Sequence, residues 1–257
     1  MLLAINANNT NTVFAVWDGE RLAGAWRAGT DARRTADEYV VWIDHLLAIS
    51  GLSRSVLSGS IIASVVPEAN FNLLRFCREY CNGEPLVVGE PGVDIGVHAI
   101  VDRPEEVGAD RMVNTVAAHQ RYGGPLIVVD FGTATTFDVV DSDGNYRGGV
   151  IAPGINLSLG ALANAAAKLP SVPIGRTQKV IGTSTVACMQ SGIFWGYVGL
   201  VEGLVARIKS EFGAPMRVIS TGGLAPLFEG ATPAIEANDA NLTLTGLRLV
   251  YERNRRA

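Results

Sequence analysis

Cysteine is scarce in this chain, with Cys77, Cys81 and Cys188 the only three in 257 residues. An odd number without framework spacing excludes a disulfide scaffold. Cys77 and Cys81 stand four apart on a helix-like run, but no second ligand pair follows and His45, His98 and His119 are scattered, so the pattern reads as packed thiols rather than a metal or redox site. Basic clusters are missing too, apart from the short tail Arg253, Arg255 and Arg256. With a formal net charge of −4 and a pI of about 5.4, that argues against nucleic acid as partner. No stretch approaches the roughly 20 apolar residues of a membrane helix. The opening MLLAINANNT has no cationic segment and turns polar after Ile5, so no signal peptide and a cytoplasmic location are expected.

What is present is ordinary globular material: 48% hydrophobic and 18% charged residues, enough to bury a sizeable core and to exclude disorder. Glycine is the one excess, at 29 residues with no collagen period, which assigns it to turns and close backbone approaches.

The pattern of elements is α/β. Leu2–Asn6 reads as a strand, Ala7–Asn11 as a polar turn and Thr12–Asp18 as a returning strand. An Asp18-Gly19 turn leads into RLAGAWRA. A helix is expected up to Ile49, starting at a capping box formed by Thr35 and Glu38. Ser60–Pro67 reads as a strand, Glu68–Cys81 as a helix and Pro85–Gly89 as a strand. A second series follows: helix Asp110–Tyr122, a continuously apolar strand Pro125–Phe131, the strands TTFDVVD and YRGGVIAP around an Asp-Gly turn, helices Ile155–Lys168 and Ser184–Phe212, strand RVISTGG and helix Leu242–Arg253.

The halves resemble each other. Superposing INANNTNTVFAVWD on VDFGTATTFDVVD sets Asn6 on Asp130, Asn8 on Gly132 and Thr12 on Thr136, each at an offset of 124. The order β-β-β-α-β-α recurs, which predicts two duplicated α/β units facing across a cleft, each contributing one strand-turn-strand. A tight turn exposes backbone N–H groups and short polar side chains that can hold phosphate oxygens, and a carboxylate at a strand end can hold a hydrated Mg²⁺ against a nucleotide. The second turn supplies Asp130, Gly132 and three hydroxyls; the first supplies amides and hydroxyls but no carboxylate. Gly108-Ala109-Asp110-Arg111 opens a helix and is readable either as a dipole-complementing acid beside a solvated arginine or as a general base beside an anion-holding arginine.

The segments NNTNTVFAVWDG, RTADEY, EVGADRMVN, VVDFGTATTFDVV, GGVIAPG, KLP, TVACMQSGIFWGYVGLVEGLV, STGGLAP and LTLTGLRLVYERN together resemble the type III pantothenate kinases of the actin-like and sugar-kinase superfamily, over essentially the whole chain. The resemblance implies two ribonuclease H-like units, residues 1–105 with the first nucleotide turn and residues 106–257 with the second turn and a pantothenate site. It implies transfer of the γ-phosphoryl of ATP, bound with Mg²⁺, to the terminal hydroxyl of pantothenate, the first step of coenzyme A synthesis. Carried over motif by motif, Asp110 accepts the hydroxyl proton, Gly108, Ala109, Asp110, Arg111 and Thr185 line the pantothenate site, and Asp130 binds a monovalent cation, K⁺ or NH₄⁺. Asn6, Ala7, Asn8, Asn9, Thr10, Asn11, Thr12, Val13 and Thr133 contact ATP. A homodimer with sites at the subunit interface is implied as well.

One departure stands out. The family turn begins Asp-x-Gly-Asn-Thr, whereas this chain reads Asn6-Ala7-Asn8-Asn9-Thr10. Three readings are open: a working kinase with a modified metal site, a weakly active or inactive kinase-fold paralogue acting as a regulatory or binding protein, and one subunit of a heteromeric kinase completed by a paralogue. The four tryptophans (Trp17, Trp26, Trp42 and Trp195) are expected in the core or an interface, and Gly192, Gly196, Gly199 and Gly203 give one helix a narrow face that suits close packing within the chain or across a dimer.

Overall fold

The computed structural model describes residues 1–165 and 169–255. Its polypeptide packs as two compact units, residues 1–117 with 242–257, and residues 118–241. The expected division at 105/106 differs from this one: the boundary runs through a helix, and the last helix is part of the first unit.

In the first unit, β1 (Leu2–Ala7), β2 (Asn11–Asp18) and β3 (Arg21–Gly29) form an antiparallel meander. Helix α1 (Ala36–Ile49) follows, started by the expected capping box: Glu38 N–H donates to Thr35 Oγ1 at 3.3 Å and Thr35 N–H to Glu38 Oε2 at 2.8 Å. β4 (Gly59–Ser64) lies parallel to β1, α2 (Pro67–Tyr80) crosses over, and β5 (Leu86–Val87) closes a sheet of order β3-β2-β1-β4-β5. Pro67 does not end the strand as expected; it opens α2, where its missing N–H costs nothing and its fixed φ fits a helix start. All six β1 residues are buried, because α1 and α2 cover one face of the sheet while Val113, Leu244, Leu247 and Val250 cover the other. Cys77 on α2 and Cys81 at its C-cap are buried, and the hydrogen bond between them, with burial, pushes the Cys81 thiol up.

Helix α3 (Ala109–Tyr122) leads into the second unit. There β6 (Leu126–Phe131), β7 (Ala134–Val140) and β8 (Tyr146–Pro153) make the second meander, followed by α4 (Ile155–Ala165) and α5 (Thr185–Phe212). Residues 166–168, expected to end the α4 helix, lie outside the described residues. β9 (Arg217–Thr221) runs parallel to β6, and β10 (Ala237–Asn238) completes the order β10-β9-β6-β7-β8. This is the first sheet's order, strand for strand. Helix α6 (Leu242–Arg255) returns to the first unit, where Gly246 meets α3 so closely that a Cβ there would lie 2.0 Å from Val113 O.

The ladders correct the assumed alignment. Ala7 pairs with Thr12 and Phe131 with Thr135, so Thr12 corresponds to Thr135, not Thr136. The first turn, Asn8–Thr10, is one residue longer than the second, Gly132–Thr133. The offset of 124 holds for β1 and β6; it becomes 123 along the return strands.

Candidate active site

The first turn leaves β1 at its carboxyl end, the edge at which open α/β sheets bind ligands. Asn8 N–H donates to Asn11 O at 3.0 Å, while Asn9 and Thr10 are exposed. Asn6, opposite Val13 in the ladder, is buried, and both Asn6 Oδ1 and Asn8 Oδ1 are enclosed without a hydrogen-bond partner. An unmet buried acceptor costs about 1–3 kcal/mol, so these two oxygens suit a ligand that brings a donor or a hydrated cation. Ala7 and Thr12 are buried, and the Thr12 hydroxyl bonds Thr30 Oγ1 at 2.9 Å.

The same sheet edge receives the start of α3. Val65, just past β4, donates its N–H to Ala7 O at 3.0 Å. Gly108 lies against Val65: a Cβ on Gly108 would stand 3.4 Å from Val65 Cγ1 and 2.7 Å from Asp110 Oδ1. Glycine is therefore required for the Asp110 carboxyl to fold back over the helix start. Asp110 Oδ1 accepts Arg111 N–H at 2.8 Å. Burial raises the Asp110 pKa against the lowering effect of that bond and of the Arg111 charge. A partly buried acid at a strand-end edge, biased toward holding a proton, has the make-up of a general base. Gly108, Ala109, Asp110 and Arg111 are thus joined to the first turn through Val65 and Ala7.

In the second unit, Asp130 occupies the ladder position equivalent to Asn6, paired with Thr136 and Thr221. Gly222 follows β9 with φ +94°, and a Cβ on it would meet Asp130 Oδ1 at 2.4 Å, so the carboxylate rests against bare backbone. The turn closes through Gly132 N–H to Ala134 O at 3.0 Å, with Thr133 exposed. Gly154, after β8, abuts this turn; a Cβ there would lie 2.0 Å from Thr133 O. Tyr197 of α5 holds the adjoining Pro153 O at 2.8 Å. Thr185 is exposed at the first position of α5, whose N-cap Ser184 accepts the Ala187 N–H.

Sequence reasoning missed Thr30, Val65 and Gly154. Thr30 and Val65 lie outside the quoted motifs and Gly154 closes GGVIAPG, but each acts through a contact that only strand pairing creates. Among the described residues no group of three or more His, Cys, Asp and Glu side chains forms a metal site. Within the first unit, the unpartnered amide oxygens of Asn6 and Asn8 instead suit an ion that arrives with its own water, as Mg²⁺ commonly does. A cavity of about 500 Å³ beside α2, lined by Asn70, Leu74, Arg78 and Glu84 among others, contains none of the expected site residues.

Residues 2–207 match the family model of type III pantothenate kinase. The chain belongs to the type III pantothenate kinase family. It is 66% identical over 254 residues to the type III pantothenate kinase of Paramagnetospirillum magneticum, covering 99% of this chain and 98% of that protein. The Rhodospirillum rubrum member is 61% identical, with 99% of each chain covered. The fold is shared more widely. A structure described as a Baf family transcriptional activator from Campylobacter jejuni aligns at TM-score 0.62 and 18% identity, covering 99% of this chain and 100% of that one. One described as a 2-dehydro-3-deoxygalactonokinase from Sinorhizobium meliloti aligns at 0.60 and 12%, covering 98% and 96%. The two matching sheets are the duplicated ribonuclease H-like units of the actin-like and sugar-kinase fold. As a family member the chain is a kinase, a class that uses ATP with a divalent metal.

Proposed function

We propose that this chain transfers the γ-phosphoryl of ATP to the terminal hydroxyl of pantothenate, giving 4′-phosphopantothenate in the cytoplasm as the first step of coenzyme A synthesis. The observation that carries the reading is the Gly108–Arg111 helix start, set against Val65, whose N–H bonds the last residue of β1, in a chain 66% identical to a type III pantothenate kinase. Asp110 accepts the hydroxyl proton; phosphoryl transfer has a loose transition state, so an acid of modest basicity suffices. Gly108, Ala109, Arg111 and Thr185 line the pantothenate site, with Arg111 facing its carboxylate. Asn6 to Val13 and Thr133 hold the nucleotide, Thr12 from within the sheet. The divalent ion supplies charge neutralisation on the phosphates. Asp130 is the carboxylate for the monovalent cation, K⁺ or NH₄⁺. The reading includes a homodimer with sites completed at the interface, supported by the open face at Gly192, Gly196 and Gly199 of α5, where a Cβ would meet nothing within 4 Å.

One observation favours a second reading: the amide at residue 6, neutral where the equivalent Asp130 is charged. On that reading the chain binds nucleotide with little turnover, as a regulatory protein or as one subunit of a heteromer. The purified chain with ATP, Mg²⁺, K⁺ and pantothenate separates the two. ADP formation dependent on pantothenate, lost in Asp110→Asn, is expected; its absence from the wild type overturns the first reading.

A further inference from the structure

The third strand of each unit ends against the turn made by the first two, but by different means. Gly29 pairs with Asn11 at the end of β3, and Pro153 pairs with Ala134 at the end of β8. The next residues, Thr30 and Gly154, are therefore counterparts. Gly154 presses bare backbone against Thr133 O. Thr30 brings a side chain to the same place: its hydroxyl reaches Asn8 O at 2.5 Å and Thr12 Oγ1 at 2.9 Å, and its N–H donates to Thr10 O at 3.1 Å.

Proton counting fixes the directions. Thr30 Oγ1 has one hydrogen, and the Asn8 carbonyl can only accept, so Thr30 donates there and Thr12 donates to Thr30. Thr12 is fully buried, and Thr30 is the partner seen for its hydroxyl. The Asn8 carbonyl shares a planar trans peptide with the Asn9 N–H, and the two point in opposite directions. Drawing Asn8 O toward Thr30 thus aims the Asn9 N–H away from Thr30, on a turn whose residue 8 is not glycine.

We propose that Thr30 is a positioning residue for the nucleotide: through Asn8 it sets the peptide plane that presents the Asn9 N–H to a phosphate oxygen, the task that backbone contact at Gly154 performs for the second turn. The nucleotide half of this inference rests on the kinase reading above; the turn-fixing half stands on geometry alone.

The test compares the full chain with Thr30→Val, which keeps the shape and loses the hydroxyl, and Thr30→Ser, which keeps it. Amide hydrogen exchange is followed in the segment 7–13, and KM for ATP is set against KM for pantothenate and kcat. Thr30→Val is expected to speed exchange in the turn and raise KM for ATP, each about tenfold, from the two lost hydrogen bonds. KM for pantothenate and kcat change little, and Thr30→Ser restores wild-type values. If Thr30→Val does not fold, Thr30→Ala against Thr30→Ser isolates the same hydroxyl. Unchanged exchange, or exchange raised equally throughout residues 1–117, overturns the positioning role. Faster exchange confined to the turn with an unchanged KM for ATP overturns the nucleotide half. A wild type without turnover defeats the kinase reading and, with it, the nucleotide half, while the exchange comparison still decides the turn.

Discussion

Asp110 shows how a single residue can be built for chemistry at the expense of stability. Burial disfavours its charged form, so its pKa is higher folded than unfolded. Between those two values the unfolded chain releases the proton more readily, and above both the ionised carboxylate carries a full penalty in the folded state; below both the penalty vanishes. Asp110→Asn removes the penalty, and its Oδ1 can still accept the Arg111 N–H. The variant is therefore expected to melt at or above the wild-type temperature at pH 7, with the advantage fading as pH falls toward about 4, the ordinary carboxylate value, and gone below it. A wild-type profile of kcat/KM should lose activity on its acid side above that range. A variant that melts lower at pH 7 but equally at low pH would reverse the sign of the argument. The candidate base was legible as part of a four-residue motif; its raised pKa was not, because burial is set by packing in the folded chain rather than by the motif itself.

At the scale of elements, the fold depends on a few glycines where backbones nearly touch. Gly246 is the sharpest case on the helices, since α6 meets the Val113 carbonyl of α3 there. Gly246→Ala forces the helices apart, and α3 is the helix whose start carries Asp110. Overpacking at such a contact costs about 1–3 kcal/mol. Denaturant unfolding should record that loss, despite alanine's better helix propensity; equal or greater stability would mean that α6 can shift freely. The helices themselves were largely readable, because caps and a 3.6-residue period are local signals: Thr35 with Glu38 fixed the start of α1. Strand ends were less readable. β4 stops at Ser64 and β5 has only two residues, since a strand ends where its partner does, and apolar content does not reveal the partner.

For the whole molecule, the informative feature is a duplication with unequal charge. Both sheets share one strand order, and Asn6 and Asp130 hold equivalent ladder positions, yet only Asp130 is an acid. Amide oxygen is a weaker ligand than carboxylate for a hard cation and for its bound water. Restoring symmetry by Asn6→Asp should lower the Mg²⁺ concentration at half-maximal turnover by about tenfold, the scale of small changes around metal sites. A titration of rate against Mg²⁺ checks this; no change would separate residue 6 from the metal-dependent step.

Composition, period and internal repeat were sufficient to determine an α/β chain of two related halves, two polar turns and an acid at a helix start. These are local or self-similar signals, carried by residues close together in the chain. Tertiary structure decided the rest: that the last helix rejoins the first unit, that the first turn is one residue longer than the second, and that Thr30, Val65, Gly154 and Gly222 shape the turns and their neighbours. Those outcomes depend on which strands pair and how closely backbones approach, and both are set by packing between distant segments.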